Sequence, residues 1–296
     1  MSELKFKGIV AYPITPFHPV KGGIDVEMLS RSIEKLIDSG VHAIAPLGST
    51  GESAYLSDDE WDHAAEASIK QVANRVPVVV GISDLTTRNA IRRARFAEAQ
   101  RADAVMVLPI SYWKLSEEEI FEHYAAIGEA IGIPIMVYNN PATSGVDMSP
   151  LLISRLVRDI DAVTMVKEST GDIQRMHKLH QLSDGQIAFY NGSNPLALEA
   201  FVAGAVGWCT AAPNLIPELN IGLYDAVAAG QLDRARDLFY RQLPVLEFIL
   251  KGGLPSTIKA GLQLDGLDVG APRAPLAPLS IESRDTLSKL LSQARR

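Results

Sequence analysis

The stretch AVTMVKESTGD, residues 162–172, decides how the rest of the chain is read. An apolar, β-branched run ends in Lys167, and a Ser-Thr-Gly-Asp cluster follows at once. A short apolar run without polar alternation is a strand buried on both faces, as in parallel sheets. Asp172 is placed to cap a helix beginning at Ile173, so the stretch is strand, loop and helix. A lysine ending such a strand either snorkels to water or is held dry at the strand's mouth. Burial disfavours the ammonium form, and a neutral amine in a dry pocket attacks ketones to give a Schiff base.

Outward from this stretch the same unit recurs. Apolar runs at 8–16, 41–47, 76–82, 104–108, 133–138, 187–190 and 205–210 read as further strands, with a loop at 17–23. Asp25 caps a helix to Asp38, with Met28, Leu29, Ile33, Leu36 and Ile37 at helical spacing, and Gly40 stops it. Ser57-Asp-Asp-Glu60 and Ser116-Glu-Glu-Glu119 are capping boxes that open two more helices. Further helices are expected at 86–100, 150–158, 173–181 and 195–203. About eight βα units in sequence make an α/β fold, a (β/α)8 TIM barrel. A doubly wound open sheet would want a GxGxxG fingerprint after an early strand, and the sequence has none. Beyond residue 210 the strands stop. Segments 217–229, 232–250, 256–264 and 280–294 read as helices; the first completes the barrel and the others are additional C-terminal helices. The expected division is a barrel over 1–229 and a helical extension over 230–296, with a proline-rich link at 270–278.

Composition narrows the function classes. The 296 residues are 47% apolar, enough for a large core. The net charge of −7 and the lack of a basic stripe argue against nucleic acid and anionic membranes as partners. Residues 1–7 are polar and charged, unlike a signal peptide, and no run has membrane-helix length. The lone Cys209 excludes an internal disulfide. A soluble, cytoplasmic protein is expected. His177 and His180 lie one helical turn apart, but no carboxylate or cysteine joins them at metal-ligand spacing, so an exposed helix face is expected there and no metal site.

In a barrel of this kind, chemistry sits at the carboxyl ends of the strands. That rule selects Ser49 and Thr50, Tyr112, Tyr138, Lys167, and Gly192 with Ser193 and Asn194. An amine, two tyrosines and small hydroxyls thus converge on one mouth, which favours the Schiff-base reading of Lys167. The turn Gly48-Ser49-Thr50-Gly51 can aim backbone N–H groups at an anion such as the carboxylate of a 2-oxo acid, or be an ordinary βα turn. Tyr138 can shuttle protons during carbinolamine formation and dehydration, or be a rim aromatic. Tyr112, beside Trp113, is equally a packing or subunit-contact residue. Strand alternation turns Glu168 away from the barrel axis, and it reads as structural. Glu52 reads as structural too, capping a nearby loop, and Trp208 and Cys209 read as core.

These residues carry a resemblance to the dihydrodipicolinate synthase / N-acetylneuraminate lyase family. The stretch from Gly40 through GSTGE to Leu56-Ser57 resembles its signature. Tyr138-Asn139-Asn140-Pro141 with Ser144-Gly145 is similar to its tyrosine motif. Val166-Lys167-Glu168-Ser169 with Gly171-Asp172 is similar to its lysine motif, and Gly204-Ala205-Val206-Gly207 with Asn214 and Pro217 to its strand-eight segment. The resemblance implies a barrel with extra C-terminal helices, a homotetramer or homodimer, and class I aldolase-type chemistry with no metal and no organic cofactor. It implies Lys167 as the Schiff-base lysine and Tyr138 as the proton shuttle. Ser49 and Thr50 would hold the carboxylate, with Ser49 also in the hydroxyl relay. Tyr112 matches a tyrosine lent to a neighbouring subunit. Three positions depart from the pattern. Synthase members carry an arginine two residues after the motif proline, where this chain has Thr143. Sialic acid lyases carry an acidic pair where this chain has Asn194 and Pro195.

The leading expectation is therefore a Schiff-base lyase, an aldolase or dehydratase, acting on pyruvate or another 2-oxo acid. The alternatives are a 4-hydroxy-tetrahydrodipicolinate synthase condensing pyruvate with aspartate semialdehyde, and a non-catalytic relative that only binds a keto acid.

Overall fold

The computed structural model describes residues 6–18 and 22–296. The polar opening read at 1–7 and the loop read at 17–23 therefore lie partly outside the described residues. Eight strands share one sheet: β1 (Gly8–Ala11), β2 (Ala43–Ile44), β3 (Val79–Gly81), β4 (Ala104–Val107), β5 (Ile135–Asn139), β6 (Val163–Glu168), β7 (Ala188–Asn191) and β8 (Gly207–Thr210). Their order is β2-β1-β8-β7-β6-β5-β4-β3, and every pairing is parallel. A parallel bridge from Ile44 to Val78 joins the two remaining edges, so the sheet is a nearly closed barrel.

The helices are α1 (Val26–Asp38), α2 (Asp58–Val72), α3 (Thr87–Ala99), α4 (Glu117–Ala130), a one-turn α5 (Pro141–Ser144), α6 (Pro150–Asp159), α7 (Ile173–Leu182), α8 (Ala197–Val202) and α9 (Pro217–Ala228). Three more follow: α10 (Leu232–Lys251), α11 (Leu254–Leu264) and α12 (Ile281–Ala294). The α/β barrel with additional C-terminal helices is the architecture expected from the sequence. The caps are also where they were expected. Asp25 accepts the Met28 N–H at 2.9 Å, both capping boxes form, and Asp172 accepts the Gln174 N–H at 2.9 Å.

The strands are shorter than the apolar runs. The run at 8–16 yields a strand only to Ala11, because Pro13 and Pro16 have no N–H to give a ladder. The run at 41–47 yields only Ala43–Ile44. Past the strand ends, Tyr12 and Ala45 still donate to the carbonyls of Thr210 and Ala11 at 3.1 and 2.8 Å, and Ile14 and Leu47 beyond them are buried too. Run length measures burial, and burial outlasts hydrogen bonding at these ends. The one-turn α5 escapes a periodicity argument because four residues hold no period.

The last helices are tied to the barrel by buried polar groups. Asn220 of α9 donates to Gln242 of α10 at 2.7 Å, and Gln242 donates in turn to the Leu219 carbonyl at 3.2 Å. From α11, Lys259 reaches the loop after β2, as described below. Among the described residues no helix is long and apolar enough to cross a membrane. His177 and His180 stand on the exposed face of α7.

Candidate active site

Lys167 is the penultimate residue of β6, in register with Tyr138 of β5 on one side and Tyr190 of β7 on the other. Parallel register puts all three on the inner face. The Lys167 side chain is only 5% exposed. Its Nζ lies 3.6 Å from the centre of the Tyr138 ring and 4.1 Å from that of Tyr12. The amine is thus held between two aromatic faces at the carboxyl end of the barrel and does not snorkel to water.

Tyr138 is buried, and its phenol oxygen accepts the Asn140 side-chain N–H at 2.7 Å. A phenol that accepts from below still has its own proton to donate. Tyr12 was not singled out from the sequence. Its hydroxyl donates to Met106 Sδ at 3.0 Å. Burial, with Cys209 adding to it, pushes the Tyr12 phenol well above its ordinary range, so it stays neutral and serves as the second wall of the amine's slot. Reading strand one through to Pro16 hid Tyr12; a strand ending at Ala11 would have selected it by the same strand-end rule. Cys209 lies inside the barrel, and burial raises its thiol, an effect that Lys167 only partly offsets. Trp208 is fully buried.

Gly192, just past β7, makes room for the amine. A Cβ there would meet Ser169 Oγ at 1.7 Å and Lys167 Cε at 2.9 Å. Gly48 likewise lies against the Tyr12 ring, 2.8 Å from where its Cβ would stand. Asn194 is buried and accepts the Thr210 hydroxyl at 2.8 Å.

Ser49–Gly51 is one 3₁₀ turn. Neither the Ser49 nor the Thr50 N–H meets an acceptor among the described residues. The flanking residues Leu47 and Glu52 hold left-handed backbone, φ +61° and +54°, which non-glycine residues rarely adopt. Something must impose that conformation. Thr15 donates its hydroxyl to the Gly51 carbonyl at 2.6 Å. The buried Glu52 carboxylate pairs with Lys259 Nζ at 2.6 Å and accepts the Arg273 N–H at 2.7 Å. Burial draws the Lys259 amine below its ordinary value, with Glu52 pulling the other way. Lys259 also lies on the Phe17 ring, 4.1 Å from its centre, and donates to the Ala271 carbonyl at 3.1 Å. Glu52 is structural, as expected from the sequence, but it anchors the turn to the C-terminal helices. Its partner Lys259 could not be found from local pattern.

Glu168 faces away from the barrel axis, as strand alternation required. It accepts from Asn139 at 3.2 Å, from the Thr170 N–H at 2.8 Å and from Arg175 at 3.3 Å. Tyr112 is 90% exposed and touches Trp113, itself 79% exposed, edge to face. Within this chain it is not brought together with Lys167. Thr143 is exposed on α5 and lines the rim of a cavity of about 320 Å³. Gly48, Ser49 and Tyr138 line the same cavity.

Residues 5–294 match the family model described as the dihydrodipicolinate synthetase family. The chain is 34% identical over 286 residues to the 4-hydroxy-tetrahydrodipicolinate synthase of Pelobacter propionicus, covering 97% of this chain and 98% of that one. It is 32% identical over 290 residues to the synthase of the same name from Bacillus subtilis, covering 98% and 100%. A crystallographic chain from Pseudomonas aeruginosa superposes with TM-score 0.97 at 65% identity, covering 99% of this chain and 100% of that one. The 4-hydroxy-tetrahydrodipicolinate synthase of Methylacidiphilum fumariolicum gives 0.94 at 30%, covering 98% and 96%. The names of these relatives agree better with the synthase reading, placed second from the sequence, than with the broader reading placed first.

Proposed function

The chain belongs to the dihydrodipicolinate synthetase family, whose members are class I aldolase-type lyases, and on that premise we propose that it acts on pyruvate or a related 2-oxo acid through an imine at Lys167. The Lys167 amine adds to C2 of the 2-oxo acid. Tyr138 protonates the carbinolamine oxygen, which leaves as water, and the C=N bond forms. The imine is an electron sink: C3 gives up a proton to form an enamine, or C3–C4 breaks in the reverse direction. Attack of C3 on an aldehyde forms the new C–C bond, the aldehyde oxygen takes a proton, and water releases the product and the free amine. The Ser49 and Thr50 N–H groups and hydroxyls hold the carboxylate of the 2-oxo acid, with Gly48 allowing its approach. Gly192 supports the position of the amine.

The observation that carries this reading is the buried amine held between two phenol rings at the carboxyl end of the barrel. The test is borohydride reduction in the presence of pyruvate. A reduced adduct at Lys167, absent in Lys167→Ala, is the expected result; no adduct across a series of 2-oxo acids would remove the reading. Reversible binding without trapping would favour the non-catalytic relative.

A second reading concerns the partner molecule. The relatives' names favour aspartate semialdehyde, hence a 4-hydroxy-tetrahydrodipicolinate synthase. Thr143 counts against it, because a short neutral hydroxyl cannot pair bidentately with a carboxylate. A coupled assay with pyruvate and aspartate semialdehyde decides the point. The exposed Tyr112–Trp113 pair supports a homotetramer or homodimer in which Tyr112 serves a neighbouring subunit, and native mass measurement tests it. The absence of a membrane-length helix among the described residues is compatible with a cytoplasmic location.

A further inference from the structure

The cavity of about 320 Å³ that shares Tyr138 and Ser49 with the amine's mouth is walled mainly by hydrocarbon. Leu108 and Ile110 come from the loop after β4, Leu254 and Pro255 from the start of α11, and Leu276 from the loop before α12. Three segments far apart in sequence thus turn apolar side chains toward one space. The only charged residue among those lining it is Glu52, whose carboxylate already faces Lys259 and the Arg273 N–H. Arg273 itself is turned elsewhere: it donates to Glu60 at 2.7 Å and to the Tyr55 and Gly22 carbonyls. The polar side chains left are uncharged hydroxyls, those of Ser49, Ser53, Ser83 and Thr143 and the phenols of Tyr55 and Tyr138. Of these, Ser83 is engaged in accepting the Leu108 N–H at 2.8 Å, Tyr138 accepts from Asn140, and Thr143 stands at the rim.

We infer that this cavity receives the second half of the substrate and that this half is uncharged and apolar: an aldehyde RCHO, or the matching 4-hydroxy-2-oxo acid, in which R is an aromatic ring or an alkyl chain of about four to six carbons. The inference rests on the imine chemistry proposed above and specifies its partner. A carboxylate in R would be desolvated with no cation among the described lining residues to meet it, and a second anionic charge would face Glu52. A hydrocarbon R gains about fourfold per buried methylene. Size agrees: an engineered apolar cavity of about 150 Å³ holds a benzene ring. This cavity therefore takes a ring and still leaves the aldehyde carbon beside Tyr138. The reaction balances without any further reagent. C3 of the Lys167 enamine bonds to the aldehyde carbon, the aldehyde oxygen takes the proton, and hydrolysis of the imine returns the amine.

Two measurements keep the chemistry and the occupant apart. The first is kcat/KM with pyruvate for a series of aldehydes: acetaldehyde, pentanal and benzaldehyde against succinic and aspartate semialdehydes. Pentanal and benzaldehyde should exceed the carboxylated aldehydes at least a hundredfold, and activity should rise about fourfold per methylene along the alkyl series. The second is equilibrium binding to the Lys167→Ala protein of unreactive alcohols, benzyl alcohol and pentanol against 4-hydroxybutyrate. This reads the cavity even where imine trapping fails. Tighter binding of the two neutral alcohols, by tenfold or more, supports the inference. Equal binding, or a preference for the carboxylate in either experiment, overturns it. Leu276→Arg lies in a loop and is a modest risk to folding; it should reverse the alcohol-to-carboxylate ratio by at least tenfold. Leu254→Ala should lower the benzaldehyde-to-acetaldehyde ratio. Unchanged ratios in both variants would show that R sits elsewhere.

Discussion

Gly192→Ala perturbs the amine without touching its chemistry. The glycine's φ is not among the positive ones, so alanine is tolerated by the backbone and only space is at issue. The added Cβ would stand 2.9 Å from Lys167 Cε, where carbon atoms rest at about 3.5–4.0 Å. Either the lysine chain retreats by roughly 0.6–1 Å or strand β7 moves. A displacement near 1 Å costs on the order of a hundredfold in a reaction that depends on near-attack geometry. The overlap itself costs about 1–3 kcal/mol, a fall of about 2–12 °C in Tm at the usual slope for domains of some 150–250 residues. The same Cβ also meets Ser169 Oγ at 1.7 Å, so the double variant Ser169→Ala/Gly192→Ala separates the two clashes. Removing the hydroxyl should recover part of the Tm and little of the trapping rate. The assay is the rate of borohydride-trapped pyruvate adduct at Lys167, followed by intact mass. Wild-type trapping in Gly192→Ala, or full recovery in the double variant, would refute the view that Gly192 sets the amine's position.

Three further outcomes are expected. Tyr138→Phe keeps the ring that faces Lys167 and loses the proton donor, so turnover should fall about 10²–10⁴-fold with little change in Tm; a loss under tenfold would exclude Tyr138 as the shuttle. Lys259→Met leaves the Glu52 carboxylate buried without its cation, at about 3–5 kcal/mol in urea unfolding; a change below about 1 kcal/mol would mean the turn is held otherwise. Hydrogen bonds from Arg273 hold the Glu60 carboxyl down at about 2, below its ordinary 4.5. The stability it contributes is full above pH 4.5 and is lost as pH falls toward 2. The pair is about a quarter exposed, so solvent screening reduces that to roughly 1 kcal/mol. Glu60→Gln should lower stability by about that amount near pH 7 and flatten the curve between pH 4.5 and 2, the two proteins converging at the acid end.

Much of this was legible from local rules. Strand, cap and helix around Lys167 follow from apolar runs and from Asp172, and alternation alone turned Glu168 outward. The errors have a common physical origin. Hydrophobic runs report burial, so the one at 8–16 concealed that Tyr12 stands just past the end of β1 and walls the amine. Pairings across long separations leave no periodic trace: Glu52 and Lys259 each look like ordinary charged residues until the chain has folded. Asn140, whose side chain donates to the Tyr138 hydroxyl, was visible only as part of the tyrosine motif, because its role depends on a side-chain direction that spacing does not fix.

The tie between Glu52 and the tail also bears on the order of synthesis. The turn facing the amine is built early, but the backbone N–H that completes its anchorage arrives 221 positions later, at Arg273. A nascent chain that has already made all eight strands still lacks Lys259 and Arg273, so its turn would be held by Thr15 on Gly51 without the tie at Glu52. The final form of this turn therefore waits on the last helices leaving the ribosome, so the barrel's mouth is the last part of it to be completed.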